Sequence, residues 1–379
     1  MMLFALILLV VLFQILIVAQ DKGSFFAPAN ITNLISQNSY VVILATGMLL
    51  CILTGGNIDL SVGSGVALIG AIAGTLIVNM HMNIYLAIVI CLLSGIALGA
   101  WQGFWIAYVR IPSFIVTLAG MLTFRGLALI ILNGVTISPY PEEYKRYFNS
   151  FLPGGDASAS GKMSASLAIA AVLCVVFVAV SAYSRIHKQR KQYHVEAFGV
   201  ALVRTLVICA LILAVFWLFG QDKGVPVILI TLGVIVAAYH YYTSKTVPGR
   251  YLYAMGGNEK AAVFSGVNTN RALFFAYTNM GFLVAVAALI CVSRFDSSFP
   301  AVGTNYELDA IGACFIGGAS AYGGVGTVSG SVIGAVFMGV LNNGMSILGI
   351  DANWQRAVKG IVLLAAVIMD VVSRKRRRG

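Results

Sequence analysis

Apolar runs of about 20 residues, the length that spans a bilayer as a helix, follow one another along the chain with short polar connections between them. They fall at 1 to 19, 38 to 54, 60 to 80, 84 to 108, 112 to 133, 163 to 183, 199 to 219, 225 to 243, 272 to 293, 306 to 322, 328 to 348 and 354 to 373. The pattern predicts an all-α polytopic membrane protein with about ten to twelve transmembrane helices, in one domain over 1 to 379. The first run has no basic leader and no small-residue cleavage site, so it reads as a retained span rather than a signal peptide. Those at 38 to 54 and 306 to 322 are short or interrupted by glycine, which predicts half-helices among the full crossings.

Residues 54 to 63 read Thr-Gly-Gly-Asn-Ile-Asp-Leu-Ser-Val-Gly between two apolar runs. Gly55, Gly56 and Gly63 weaken a helix, while Asn57, Asp59 and Ser61 carry groups that lipid cannot solvate. This backbone must therefore be buried in protein or line a wet cavity. Asp59 either lines a solute path, bonds the amides of a broken helix, or marks an intracellular turn. A second cluster, Gly317 and Gly318 followed by Gly323, Gly324 and Gly326, also closes one apolar run and opens another. The two clusters fall on the same side of the membrane, which suggests two related halves of like orientation.

Composition agrees with the pattern: 60% hydrophobic, 10% charged, and a mean hydropathy of +0.93. The excess of 24 Lys+Arg over 13 Asp+Glu is not the footprint of nucleic acid, because the basic residues cluster in short connections and in the tail Arg374 to Arg378. By the positive-inside rule, that tail is cytoplasmic together with Arg185, Lys188, Arg190 and Lys191 in 184 to 198 and Lys245, Arg250, Lys260 and Arg271 in 244 to 271. Alternating spans put 20 to 37, 134 to 162, 294 to 305 and 349 to 353 outside and both termini in the cytoplasm. That topology sets Asp59 near the cytoplasmic end. In the outer loop, 134 to 162, Pro141 to Phe151 is expected to form a short interfacial helix with Tyr140, Tyr144, Tyr147 and Phe148 near the headgroups. A flexible Gly/Ser connector, 154 to 161, follows it.

Chemistry along the chain is sparse. Cys51, Cys91, Cys174, Cys209, Cys291 and Cys314 sit inside apolar runs without a Cys-x-x-Cys, and read as small buried hydrophobes. His81, His187, His194 and His240 are scattered, so no metal site is expected. There is no Gly-x-x-x-x-Gly-Lys-Ser/Thr phosphate cradle, since Gly161-Lys162-Met163 lacks the upstream glycine and the hydroxyl. Any ATP-driven step thus needs another polypeptide. Arg125 lies inside a span, where a charge costs at least ~2.5 kcal/mol, and Asp59 and Glu307 are its possible counter-charges. Glu307 and Asp309 either cap a helix start at the outer mouth or dock an external protein. Arg294, Asp296, Asp351, Arg356 and Lys359 read as anchors near the outer face.

The longest intracellular connection contains Pro248-Gly-Arg-Tyr-Leu-Tyr-Ala-Met-Gly-Gly-Asn-Glu-Lys-Ala-Ala-Val-Phe-Ser-Gly-Val-Asn-Thr-Asn-Arg271. Within it Asn258 to Ser265 suits a short helix, with Asn258 as N-cap and Gly266 as C-cap. It is either a docking element or a solvated connector. The spacing Glu259, Ala261-Ala262, Gly266, preceded by Gly256-Gly257-Asn258, resembles the Glu-Ala-Ala-x-x-x-Gly loop of bacterial ABC importer permeases. Further strings resemble their ribose/xylose/galactose branch: Gly56-Asn-Ile-Asp-Leu-Ser-Val-Gly63, Asn30-Ile-Thr-Asn-Leu-Ile35, Pro112-Ser-Phe-Ile-Val-Thr-Leu-Ala-Gly120 and Glu307-Leu-Asp-Ala-Ile311. So do Gly317-Gly-Ala-Ser-Ala-Tyr-Gly-Gly-Val-Gly326 and Trp354-Gln-Arg-Ala-Val-Lys-Gly360. Two departures stand out. Asn57 is inserted where that branch has Gly-Gly-Ile-Asp-Leu-Ser-Val-Gly, and residues 155 to 225 add spans, as in the longer xylose or multiple-sugar permeases.

The resemblance implies a permease that works as a homodimer or paired with a second permease in the bacterial inner membrane, with two cytoplasmic ABC ATPase subunits and a periplasmic sugar-binding protein. ATP and Mg would be bound by the ATPase, with no cofactor in this chain. It also implies that 244 to 271 is the ATPase-coupling loop and makes the Thr54 to Gly63 break a scaffold hinge rather than a sugar contact. Trp101, Trp105, Asn279 and Asn342 offer aromatic faces and hydrogen-bonding edges for a sugar. A self-contained ion-coupled secondary transporter is the competing reading, motivated by the broken helices and by Asp59 and Arg125.

Overall fold

The computed structural model describes residues 2–154, 158–193 and 197–378, with side chains through 372. Part of the Gly/Ser connector, His194 and the side chains of the basic tail lie outside the described residues. The helices, in chain order, are α1 (Met2–Ala19), α2 (Pro28–Leu53), α3 (Val62–Gly74, ending in a π-helical turn Thr75–Asn79), α4 (Ile84–Ala107) and α5 (Ser113–Leu132). After a short α6 (Glu142–Phe148) come α7 (Ala159–Arg190), α8 (Phe198–Gln221) and α9 (Ile228–Lys245). The pair α10 (Val247–Gly257) and α11 (Glu259–Phe264) precedes α12 (Thr269–Phe295), α13 (Tyr306–Ile316), α14 (Val328–Ile347) and α15 (Ala352–Arg378). Two-residue strands at Phe151–Leu152 and Val225–Pro226 pair antiparallel and tie the start of α7 to the start of α9.

Nine helices among the described residues are long and apolar enough to cross a membrane: α1, α2, α3 with its π turn, α4, α5, α7, α8, α12 and α14. The run expected at 306 to 322 is helical for only 11 residues, about 16 Å, which is a half-crossing. The half-helix expected at 38 to 54 is instead the C-terminal part of a 26-residue helix. Asn30, Thr32 and Asn38 hid its start by breaking the apolar run, yet each is satisfied. Asn30 donates to Phe25 O at 2.7 Å, Thr32 to Pro28 O at 3.1 Å and Asn38 to Leu34 O at 2.8 Å.

The centre of the bundle is α2, buried over 83% of its most apolar window, whereas α8 is buried over only 6%. Around α2 pack α12, α13 and α14, and the α7–α8 hairpin stands at the edge, its two helices packed mainly on each other. The tightest pairing joins α4 to α12, because Gly95, Gly99 and Gly103 form a stripe at every fourth position. A Cβ at Gly95 or Gly99 would overlap the backbone of Gly281 or Tyr277, so only glycine permits this approach.

The outer-loop helix forms, but its aromatics do not all sit among headgroups. Tyr144 is fully buried and donates to Leu289 O at 2.8 Å, while Tyr140 bonds Ser298, whose hydroxyl donates to Gly70 O at 2.6 Å. Tyr147 alone of the three tyrosines is exposed, bonded to Tyr85 at 2.6 Å. The loop is thus pinned to the bundle by hydroxyls that find buried carbonyl acceptors.

Candidate functional site

After α2 ends at Leu53, the chain does not turn straight into the next helix. Thr54 donates to Cys51 O at 2.7 Å, and Asn57 folds back to donate to Thr54 Oγ1 at 3.1 Å, so the inserted Asn57 braces the end of α2. The chain then climbs back beside α2: the Asp59 amide meets Met48 Sδ at 3.4 Å, and Ile58 O accepts from Tyr277 at 3.3 Å. Asp59 is 3% exposed, and its Oδ1 accepts from the Ser61 amide at 2.8 Å and the Ser61 hydroxyl at 2.7 Å. Gln102 of α4 donates in turn to Ser61 Oγ. The Asp59 carboxylate thus bonds a backbone amide at the start of α3.

A second re-entry comes from the opposite side. Following α12, Ser298 meets α3 at Gly70 and Gly74, and Gly303 meets it at Gly63, so this segment runs antiparallel to α3 down into the bundle. Arg125 holds it there, donating to both Pro300 O and Val302 O at 2.7 Å. Of the two carboxylates expected to face Arg125, Glu307 lies within electrostatic reach, while the hydrogen bonds of Arg125 go to two backbone carbonyls that a non-helical segment leaves unpaired. Then α13 starts at Tyr306, with Glu307 against Gly63. Two helices that run in opposite directions, α3 and α13, thereby begin side by side inside the protein, an arrangement found at the binding sites of broken-helix transporters.

Asp309, in the first turn of α13, is 1% exposed. It accepts from Tyr40 at 2.7 Å and pairs with Lys359 of α15 at 2.8 Å, and Tyr40 stacks on Tyr306 with centroids 3.7 Å apart. Of the two readings of Glu307 and Asp309, these contacts describe the residues at the start of α13. Asp309 is enclosed, Glu307 is half-buried against α3, and Lys359 is an internal partner rather than a headgroup anchor.

The glycine clusters meet at the end of the bundle where α10 packs. Gly323 lies on the backbone of Gly55, and Gly56 on the carbonyl of Ala321. Gly317 faces Gly330 at the start of α14, and Gly318 (φ +84°) faces Met2. Gly256, at the end of α10, fits between Leu53 O and the Gly324 amide, which itself donates to Leu53 O at 3.1 Å. Tyr253 of α10 donates to Gly326 O at 3.0 Å. A methyl group at Gly256 would overlap both backbones, while the space around Gly257 is open.

Beyond Gly257 the short helix α11 forms with the expected caps. Asn258 accepts from the Ala261 amide at 3.0 Å, and Gly266 (φ +83°) ends it with the paired bonds Val267 N–H to Ala262 O and Gly266 N–H to Val263 O. Ala262 faces inward at 4% exposure, whereas Phe264 is 91% exposed. Glu259 pairs with Arg110 at 2.7 Å, and Arg110 also donates to Thr269 and Asn270. The loop between α4 and α5 thus joins the same surface.

The residues expected to meet a sugar do not come together. Trp101 and Trp105 lie in the last turns of α4, toward Arg110 and α11. Asn279 bonds Tyr239, and Asn342 reaches Asp309 at 3.4 Å. What sequence reasoning missed is the re-entrant segment before Tyr306 and the glycine stripe of α4. The stripe was visible as spacing; the segment had only Pro300 and Gly303 to mark it.

Residues 30–367 match the family model described as branched-chain amino acid transport system / permease component. The chain belongs to this permease family. The permease is 38% identical over 354 residues to the xylose transport system permease protein XylH of Escherichia coli (strain K12), covering 93% of this chain and 88% of that protein. Against XylH of Haemophilus influenzae the identity is 37% over 371 residues, 98% of this chain and 96% of that one. The ribose import permease protein RbsC of Escherichia coli (strain K12) is 34% identical over 363 residues, 96% and 92% of the two chains. No solved structure matches the permease significantly.

Proposed function

We propose that this permease is the membrane-spanning subunit of an ATP-driven importer in the bacterial inner membrane. It passes a monosaccharide, xylose or a similar pentose or hexose, from a periplasmic sugar-binding protein to the cytoplasm. Two copies form the membrane unit, both termini lie in the cytoplasm, and ATP with Mg is bound and hydrolysed by a separate ATPase chain. The observation that carries this reading is the seating of α10 on the junction of the two glycine breaks, with α11 and its bare Phe264 presented to a partner.

In this reading α11 docks on the ATPase, and movement of the docked loop is passed by Gly256 to Leu53 and Gly324, where both broken segments are anchored. Such a switch works through two packed arrangements of rigid elements rather than through bending of one helix. Reconstitution of the chain alone, and together with its ATPase and sugar-binding protein, tests the proposal. ATP-dependent xylose uptake by the complex alone is the expected result. Uptake driven by an ion gradient in the isolated chain would establish a self-contained secondary transporter instead.

A further inference from the structure

The exterior of the bundle is not uniform. Between Leu206 and Trp217 the exposed side chains of α8 are all apolar, as are those in the middle of α7, which suits lipid. The re-entrant segment breaks this pattern. Ala301 and Thr304 are exposed, although they belong to non-helical backbone held at the level of Arg125, near the middle of α5. Thr304 turns back to donate to Ala301 O at 2.7 Å, and Glu307 stands within electrostatic reach of Arg125. Irregular backbone and charged groups at such depth are tolerated only against protein or water, not against lipid.

We infer that the face carrying Ala301, Thr304, Arg125 and Glu307 lines a water-filled solute path, on which sugar hydroxyls exchange their water for the Thr304 hydroxyl and the Glu307 carboxylate. The inference rests on the permease reading proposed above and adds which face of the chain the solute crosses. Arg125 is a positioning residue in this scheme. Its two bonds to Pro300 O and Val302 O leave those carbonyls unavailable to solute and fix the height of Thr304.

The test is cysteine accessibility in the full complex, in a background where the six native cysteines are replaced and uptake is retained. Ala301→Cys and Thr304→Cys are compared with Val175→Cys on the lipid side of α7, using a charged, membrane-impermeant methanethiosulfonate reagent. Because the thiolate is the reactive form and apolar surroundings suppress it, both path positions should react about tenfold faster or more than Val175→Cys. Their modification should also stop uptake. Equal rates at all three positions, or fast modification with uptake intact, would overturn the assignment. Absence of sugar uptake in the unsubstituted complex, by contrast, would refute the underlying permease reading whatever the labelling pattern.

Discussion

Gly63 and Gly303 meet backbone to backbone, and a Cβ on either would overlap the carbonyl oxygen of the other. Neither is there for flexibility alone. Their contact is what lets the re-entrant segment lie along α3, so that α3 and α13 start next to one another. Overpacking of this kind costs about 1–3 kcal/mol, and Gly303 (φ +74°) adds backbone strain. Gly63→Ala and Gly303→Ala should each lower the melting temperature in detergent and abolish uptake. Gly126→Ala, with open space around it, should do neither. Equal melting temperatures for all three would contradict the packing described.

The Asp309–Lys359 pair is enclosed, so removing one member strands the other. Lys359→Met should destabilise the protein by about 3–5 kcal/mol, and the double variant Asp309→Asn/Lys359→Met should recover much of that loss. Thermal unfolding of the single and double variants decides this. Additive losses would show that the two residues act independently.

Arg110 and Glu259, with side chains 46% and 47% exposed, form a pair of a different kind. Glu259→Gln should change stability by less than ~1 kcal/mol. An effect on ATP-driven uptake beyond that on stability would place the pair in the coupling surface; loss of both in proportion would make it merely structural.

Gly266 needs a left-handed backbone that proline cannot adopt, its own φ being held near −65°. Gly266→Pro, or deletion of Glu259 to Gly266, should leave membrane insertion intact while separating ATP hydrolysis from uptake. Normal uptake in either variant would remove α11 from the coupling path.

Much of this arrangement was legible in the sequence because it rests on local rules. Asn258 and Gly266 marked the ends of α11, and the runs of apolar residues marked most spans. The Thr54 to Gly63 break announced itself by placing glycines beside Asp59. Long-range pairing was not legible. Nothing near Arg125 in sequence points to the carbonyls of Pro300 and Val302, and nothing near Asn30 points to Asn343 of α14, which donates to its side chain at 2.9 Å. Asp309 looked like a surface acid for the same reason, since Tyr40 and Lys359 approach it from distant parts of the chain.

Under the proposed function, movement of α10 and α11 reaches both broken segments through Gly256. Gly256→Ala and Gly257→Ala differ by one position, and only the first places a methyl group against Leu53 O and the Gly324 amide. ATP hydrolysis and sugar uptake measured in parallel on the reconstituted complex test the claim most directly. The account predicts that Gly256→Ala retains hydrolysis and loses uptake while Gly257→Ala keeps both. Wild-type ratios of uptake to hydrolysis in Gly256→Ala would contradict it.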